Sequence, residues 1–176
     1  MPLRCLLSTV LLALACATTA FASTPSPGFA GTWRLDTARS TNLAAWRTFE
    51  LRIETSQSEV RFDRRLGWGR RTHEETMSLP IDGQPTAISV PYWSDNRHIG
   101  AYIGGDGHKR AHLRVLDGGR ILRIESDLIL ETQQGERAVN ILSDYHLSPD
   151  AQTLTLIELR SSRPQPVTYV FTRVQS

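Results

Sequence analysis

Apolar and polar side chains alternate along most of this chain. Phe49, Leu51 and Ile53 are separated by charged residues, and the same period of two recurs in four later stretches. These contain Val60 and Phe62; Leu122, Ile124, Leu128 and Leu130; Val139, Ile141, Tyr145 and Leu147; and Val167, Tyr169 and Phe171. Such alternation is typical of β-strands that pack one face against a core and leave the other face in water.

Turn-forming sequences separate these stretches, and no segment has a convincing helical pattern. Asp82-Gly83 and Asp117-Gly118-Gly119 tolerate the backbone angles that tight turns need, as do Gly104–Gly107, Gln134-Gly135 and Pro149-Asp150. Short connections make consecutive strands neighbours in the sheet, so we predict an all-β antiparallel meander of roughly eight to ten strands. A meander of this kind buries its apolar face most simply by closing into a barrel, and a two-sheet sandwich is the alternative.

The N-terminal segment has the pattern of an export signal. Arg4 supplies a short positive region, and Leu6–Ala15 is an apolar run too short to span a bilayer comfortably. The small residues of Ala20-Phe21-Ala22 then form a cleavage site before Ser23. We therefore expect a signal peptide over residues 1–22 and export to the periplasm or the medium.

Two other interpretations of this segment stand beside the first. It could stay attached as a membrane anchor, or Cys16 could be lipidated, because Ala13-Leu14-Ala15-Cys16 loosely resembles a bacterial lipobox. Cleavage after Ala22 removes both cysteines, so the mature chain would depend on its core and not on disulfides. It would consist of a flexible leader over 23–28 and one domain over 29–175, with no further apolar run of ~20 residues that could span a membrane.

The composition is that of an ordinary globular domain with nearly balanced charge. The chain is 40% hydrophobic and 22% charged, with 20 basic and 18 acidic residues. This balance argues against a dedicated nucleic-acid binder. Lys109 is the only lysine, and the dispersed arginines are interpreted as charges on solvated strand faces. They include Arg61, Arg64, Arg65, Arg70 and Arg71.

The first and last predicted strands resemble those of a known family. Gly31-Thr32-Trp33 lies in the first predicted strand, and the last strand ends with Phe171-Thr172-Arg173. This combination resembles the calycins, and in particular small exported bacterial lipocalin-like proteins. The resemblance implies a lipocalin-like barrel in which Trp33 packs beneath Arg173. Gly31, Trp33 and Arg173 would then be structural residues that join the first strand to the last.

The resemblance does not extend to a ligand site. Fatty-acid-binding proteins hold a carboxylate with an Arg-x-Tyr pair on the last strand, whereas Tyr169 and Arg173 stand in the opposite order and further apart. Their paired helices have no counterpart, since only Leu43–Arg47 could form a turn or two of helix. Ligand binding therefore has to be argued from the residues of this chain.

The motifs that could indicate catalysis, a metal or a cofactor are incomplete. His73-Glu74-Glu75-Thr76-Met77 lacks the second histidine of a zinc protease, so it is interpreted as an exposed strand face. His98, His108 and His112 could approach a metal together, but surface histidines are the favoured interpretation. Gly100–Arg110 lacks the ending of a phosphate-binding loop. We predict no catalytic residue, no metal and no cofactor, and an enzyme on a calycin barrel is the weakest alternative.

Aromatic residues beside polar groups are the best candidates for ligand binding. Tyr92 and Trp93 lie in Pro91–His98, where rings and charged groups at a strand end could hold an amphiphile. Tyr102 and Tyr145 complete the predicted set. The alternative is that Tyr92 packs in the core while Trp93 covers a hairpin.

These observations predict an exported barrel that non-covalently binds a small hydrophobic or amphipathic molecule. The alternative is a structural or interaction module of the cell envelope whose interior is filled by its own side chains. Trp68, between two glycines, is interpreted as a packed turn residue and not as a binding platform. The sequence predicts no particular ligand and no oligomeric state.

Overall fold

The computed structural model describes residues 24–41, 46–90, 92–93 and 101–175. The predicted signal peptide, Cys16, most of Leu43–Arg47 and His98 lie outside these ranges. Within them the backbone forms twelve strands and two three-residue 3₁₀ helices, Pro27–Phe29 and Asp117–Gly119. The strands are β1 (Gly31–Leu35), β2 (Thr48–Thr55), β3 (Glu59–Trp68), β4 (Arg71–Pro80), β5 (Thr86–Ser89), β6 (Tyr92–Trp93), β7 (Ala101–Tyr102), β8 (His108–Leu116), β9 (Ile121–Thr132), β10 (Gly135–Leu147), β11 (Thr153–Arg160) and β12 (Val167–Arg173).

Ten of these strands form one antiparallel sheet, in the order β4-β3-β2-β1-β12-β11-β10-β9-β8-β5. Strand β1 brings the two ends of the domain together, because it pairs with β2 on one side and with β12 on the other. The sheet is nearly closed into a barrel, and β6 and β7 form a separate two-stranded ribbon. The predicted all-β antiparallel barrel of eight to ten strands is therefore confirmed.

The main core lies inside this barrel because the period of two turns every second side chain inward. On β2, Phe49, Leu51 and Ile53 are buried and the residues between them are exposed. Burial of apolar surface stabilises the fold by roughly 25 cal/mol per Å². The largest fully buried side chains include Phe29, Trp33, Phe49, Phe62, Tyr145 and Phe171.

A tryptophan and an arginine close one end of the barrel, called the closed end below. Trp33 and Arg173 are direct partners in the β1–β12 register, and Cζ of Arg173 lies 4.1 Å from the centroid of the Trp33 ring. The indole Nε1 donates to the carbonyl oxygen of Phe29 over 2.9 Å. Arg173 also donates to the carbonyl oxygens of Ala30 and Ala151, each over 2.8 Å. These contacts join the first strand, the last strand and the first 3₁₀ helix.

Gly31 is the residue that allows Arg173 to approach. Its φ of +139° lies in the region that favours glycine. A Cβ at this position would also come within 2.5 Å of Nη1 of Arg173. A larger residue would therefore strain the backbone and displace the guanidinium from its carbonyl partners.

The ribbon of β6 and β7 covers the opposite end, near the β9–β10 turn, called the open end below. The ribbon is joined to β9 by an isolated antiparallel bridge between Ile103 and Leu130. Its apolar side chains pack against inward-facing residues of β9 and β10, and this second apolar cluster is separate from the main core. The second cluster consists of Val90, Trp93, Ile103, Leu128, Leu130, Val139 and Ile141.

Replacing Trp33 with alanine should lower the free energy of unfolding by about 3–5 kcal/mol, because a fully buried ring is lost and a cavity remains. Urea denaturation followed by circular dichroism measures this change. Trp68→Ala is the matched control, since that ring is exposed. An unchanged midpoint for Trp33→Ala would contradict a structural role for this ring.

Candidate functional site

Charged side chains occupy the barrel interior near the open end. Strand alternation places them there, since Arg64 continues the inward phase of Val60 and Phe62 on β3. Ser126 on β9 and Ser143 on β10 are also buried, and each separates a main-core residue from a residue of the second apolar cluster. We call this set the charged layer. It consists of Arg64, Glu75, Lys109, Ser126, Ser143, Glu158 and Arg160.

The charged side chains of this layer pair with one another. Glu75 accepts hydrogen bonds from Nζ of Lys109 and, over 3.4 Å, from Nη1 of Arg64. Nε of Arg160 donates to Glu158 over 2.6 Å. Each of these two carboxylates is thus bound by at least one basic side chain of the layer.

Electrostatics keep the buried carboxylate of Glu75 ionised. Burial opposes its charge, but the positive charges of Lys109 and Arg64 outweigh burial and hold its pKa at about 2. For Arg64, burial again opposes the charge, while Tyr145, Glu75 and Glu158 raise its pKa above the ordinary value. Burial also raises the pKa of Tyr145 to about 12. These three side chains therefore keep their ordinary charge states at neutral pH.

Two nitrogen atoms at this end are buried and have no hydrogen-bond partner among the described residues. They are Nε of Arg64 and Nε2 of His73. Burial lowers the pKa of His73, which favours the neutral ring. A buried donor without a partner costs ~1–3 kcal/mol, so an unsatisfied donor in a folded protein points to a water molecule or a ligand.

A chain of aromatic rings crosses the open end beside the charged layer. The ring centroids of Trp46 and His73 are 6.2 Å apart, those of His73 and Tyr92 5.3 Å, and those of Tyr92 and Tyr102 5.7 Å. Cζ of Arg160 lies 4.6 Å from the centroid of the Trp93 ring, so a guanidinium of the charged layer contacts the ribbon.

The four predicted ligand-binding residues occupy two places. Tyr92, Trp93 and Tyr102 lie together on the ribbon, where Trp93 is buried and Tyr102 is 66% exposed. Tyr145 lies in the main core, with its ring centroid 5.2 Å from that of Phe62. The side chain of Tyr145 also interacts electrostatically with Arg64, a residue of the charged layer.

Sequence reasoning missed the charged layer itself. Arg64 was interpreted as a solvated charge and Glu75 as part of an exposed strand face, and both interpretations are wrong: only 11% of the Arg64 side chain is exposed, and Glu75 is buried. The signal was present in the phase of the alternation, because Arg64, Glu75 and Lys109 all occupy inward positions of their strands.

His108 and His112, two of the three histidines considered for a metal, make separate contacts, and the third, His98, lies outside the described residues. In the described ranges no three His, Cys, Asp or Glu side chains are arranged to hold a metal ion. Nδ1 of His108 contacts the carbonyl oxygen of Asp106 at 2.7 Å, and Nε2 of His112 lies 3.4 Å from Glu125. Among the same residues, no helix is long and apolar enough to cross a membrane.

Comparisons with known proteins add a distant likeness in structure. No family model matches the sequence, and no curated protein matches it. Among solved structures, the chain is similar to secretory abundant heat soluble protein 4 from Ramazzottius varieornatus, with 8% sequence identity and a TM-score of 0.49. The match covers 86% of this chain and 98% of that one. The barrel described above rests on the strand pairing of this chain itself.

Replacing Glu75 with glutamine should destabilise the protein at neutral pH by about 3–5 kcal/mol, because Lys109 and Arg64 would face an uncharged amide. The difference from the wild type should shrink in acid. The pKa of Glu75 is about 2 in the folded protein against an ordinary 4.5, so its contribution is complete above about pH 5 and is lost as the pH falls towards 2.

Urea denaturation of both proteins between pH 7 and pH 3 tests this expectation. Glu59→Gln, at an exposed carboxylate of the same sheet, is the control and should differ little from the wild type. A stability difference between Glu75→Gln and the wild type that stays constant over this pH range would show that the carboxylate is not held ionised as described.

Proposed function

We propose that this protein is an exported, lipocalin-like barrel that binds a small amphipathic molecule with an acidic group at its open end. The observation that carries the proposal is the donor at Nε of Arg64, which is buried in the charged layer and has no hydrogen-bond partner among the described residues. The acidic group of the ligand would lie towards Arg64 and supply the missing acceptor. Its apolar part would contact the rings of the ribbon.

Burial makes an anion more effective here than at the surface. Only 11% of the Arg64 side chain is exposed, and electrostatic attraction is stronger where water is excluded. A carboxylate or phosphate would accept a charge-assisted hydrogen bond from Arg64, worth ~1.5–3 kcal/mol. Arg64 pairs with Glu75 through Nη1, so an anion bound at Nε would not have to displace that pair.

The second apolar cluster offers suitable surroundings for the rest of the ligand. Trp93 and Ile103 belong to this cluster, and the rings of Tyr92 and Tyr102 on the same ribbon are 5.7 Å apart. A few polar groups against an apolar wall are typical of sites for small molecules. The proposed ligand class is therefore an amphiphile with an acidic group.

The lipocalin-like character and the export of this protein are part of the same proposal. The contact between Trp33 and Arg173, with Gly31 beside it, supports the calycin resemblance of the two terminal strands. The N-terminal sequence supports export, with cleavage after Ala22 or, as the alternative, lipidation at Cys16.

The second candidate function is a structural envelope module without a ligand. It is favoured by the main core, where large buried side chains occupy the barrel interior. These include Phe29, Trp33, Phe49, Phe62 and Phe171. The two functions differ in whether the open end holds a molecule.

Native mass spectrometry of the protein purified from its producing cells, with solvent extraction of the bound material, distinguishes the two. An added mass of a few hundred daltons that is anionic in the extract supports the carrier. A protein that is consistently recovered without added mass, and that also fails the titration below, supports the structural module.

Dansylaminoundecanoic acid should bind with a rise in fluorescence, and its uncharged methyl ester should bind about ten- to a hundredfold more weakly, because it lacks the anion that Arg64 holds. Arg64→Gln should abolish most of this preference, while Arg61→Gln, on the outer face of the same strand, should keep it. Equal affinity for acid and ester in the wild type would contradict the proposed role of Arg64.

A further inference from the structure

A concave surface lies at the open end, on the outside of the barrel. It is a cleft of about 690 Å³ between the end of β1, the start of β2 and the β3–β4 hairpin. Arg34, Arg47, Arg65 and Arg71 line this cleft together with Trp68, and Glu50 is the only carboxylate among the described lining residues. We call it the arginine cleft.

The positive charge of the arginine cleft is concentrated at the hairpin. Arg65 is paired with Glu74 over 3.3 Å, and Arg34 stands opposite Glu50 in the β1–β2 register, so these two charges are partly balanced. Three further arginines form the rim around Trp68 and have no carboxylate partner in the described part of the chain. They are Arg47, Arg70 and Arg71.

Trp68 gives this rim an apolar centre. The ring is 39% exposed, whereas Trp33, Trp46 and Trp93 are all buried. Trp68 is the last residue of β3, directly before the turn, and Cζ of Arg71 lies 5.4 Å from its ring centroid. The interpretation of Trp68 as a packed turn residue is therefore wrong. A tryptophan among arginines is suited to the boundary between water and lipid, where the ring enters the headgroup region.

We propose that this rim docks the barrel onto an anionic phospholipid surface, with Trp68 at the headgroup level and the free arginines on lipid phosphates. The argument is charge complementarity confined to one hairpin: the outer face of β1–β4 otherwise alternates basic and acidic residues, as in Arg34, Glu50, Arg65 and Glu74. A patch of this size fits a few headgroups and is too short to follow a nucleic-acid backbone.

This docking goes beyond the proposed ligand binding and places the open end against the bilayer. His73 of the aromatic chain pairs with Leu66, next to the hairpin that carries Trp68. The exposed Tyr102 belongs to the same aromatic chain. A docked barrel would therefore turn the aromatic chain towards the lipid.

Co-sedimentation with vesicles tests the proposal. We expect the purified protein to bind vesicles of phosphatidylglycerol and phosphatidylcholine at low salt, to bind pure phosphatidylcholine weakly, and to dissociate as salt rises. Lipids brominated in the acyl chain should quench the fluorescence of the bound protein, since Trp68 is the exposed tryptophan among four. Absence of binding to the anionic vesicles at low salt would overturn the proposal.

Two double variants test which surface of the barrel binds the vesicles. Each surface arginine contributes about fivefold to such binding, so Arg70→Gln with Arg71→Gln should weaken it about 25-fold. Arg52→Gln with Arg114→Gln removes the same charge from two well-exposed arginines elsewhere and should change the binding at most a few-fold. Trp68→Ala should remove the quenching by brominated lipid. Equal losses in both double variants would show nonspecific attraction and overturn the assignment.

Two soluble competitors, inorganic phosphate and DNA, test whether the protein binds a bilayer or another kind of anion. Millimolar inorganic phosphate or a short DNA duplex should displace the protein from vesicles no more than sodium chloride of equal ionic strength does. Displacement by phosphate alone would mean that the arginine cleft is a site for free anions, and displacement by DNA would mean a nucleic-acid surface; either outcome overturns membrane docking. Because the dansyl acid titration needs no vesicles, it can fail or succeed independently of this result.

Discussion

Lys109 reaches across the seam of the barrel to the carboxylate of Glu75, at the place where the edges of the sheet approach each other. The hydrogen-bonded order of strands ends at β4 and β5, so within the described residues no backbone ladder joins β4 to β8. Lys109 on β8 and Arg64 on β3 both bind Glu75 on β4. Desolvation offsets most of the attraction in a buried ion pair, so replacing the whole group by apolar side chains would change the stability little, whereas loss of one partner alone is costly. It does specify position, because a shift of either edge would leave a buried charge without its partner. The rest of the barrel depends on that alignment.

Both ends of the barrel use a guanidinium over an indole ring, but with different partners. At the closed end, Arg173 lies on Trp33 and its remaining donors are satisfied by backbone carbonyls. At the open end, Arg160 lies on Trp93 and bonds to Glu158, a side chain of the charged layer. Backbone carbonyls are fixed in place, whereas the side chain of Glu158 can change its conformation. The asymmetry between the ends thus separates a part of the barrel that maintains the fold from the part where we propose binding.

The strands could be predicted from the sequence because alternation is a local property: each residue faces either water or the core. The charged layer could not be predicted in this way, because Glu75 and Lys109 are 34 residues apart in sequence and come into contact only when the sheet closes towards a barrel. The phase of Arg64 after Phe62 did indicate an inward side chain, but the charge of the residue favoured the opposite interpretation. Trp68 was misjudged for a related reason. Apolar character suggests packing, whereas the short turn after β3 leaves the ring exposed.

The net charge is only +2, but the arginines of this chain lie in very different electrostatic surroundings. On the outer strands, a basic residue such as Arg65 stands opposite a carboxylate such as Glu74, and the two charges cancel locally. Inside the barrel, Arg64 remains charged because carboxylates and a tyrosine surround it. At the hairpin, Arg70 and Arg71 have no carboxylate partner among the described residues. Unpaired donors and charges are available to other molecules, and both Nε of Arg64 and these two arginines lie at the open end. An amphiphile with an acidic group and an anionic lipid surface carry the same chemical features, so one end of the barrel suits both.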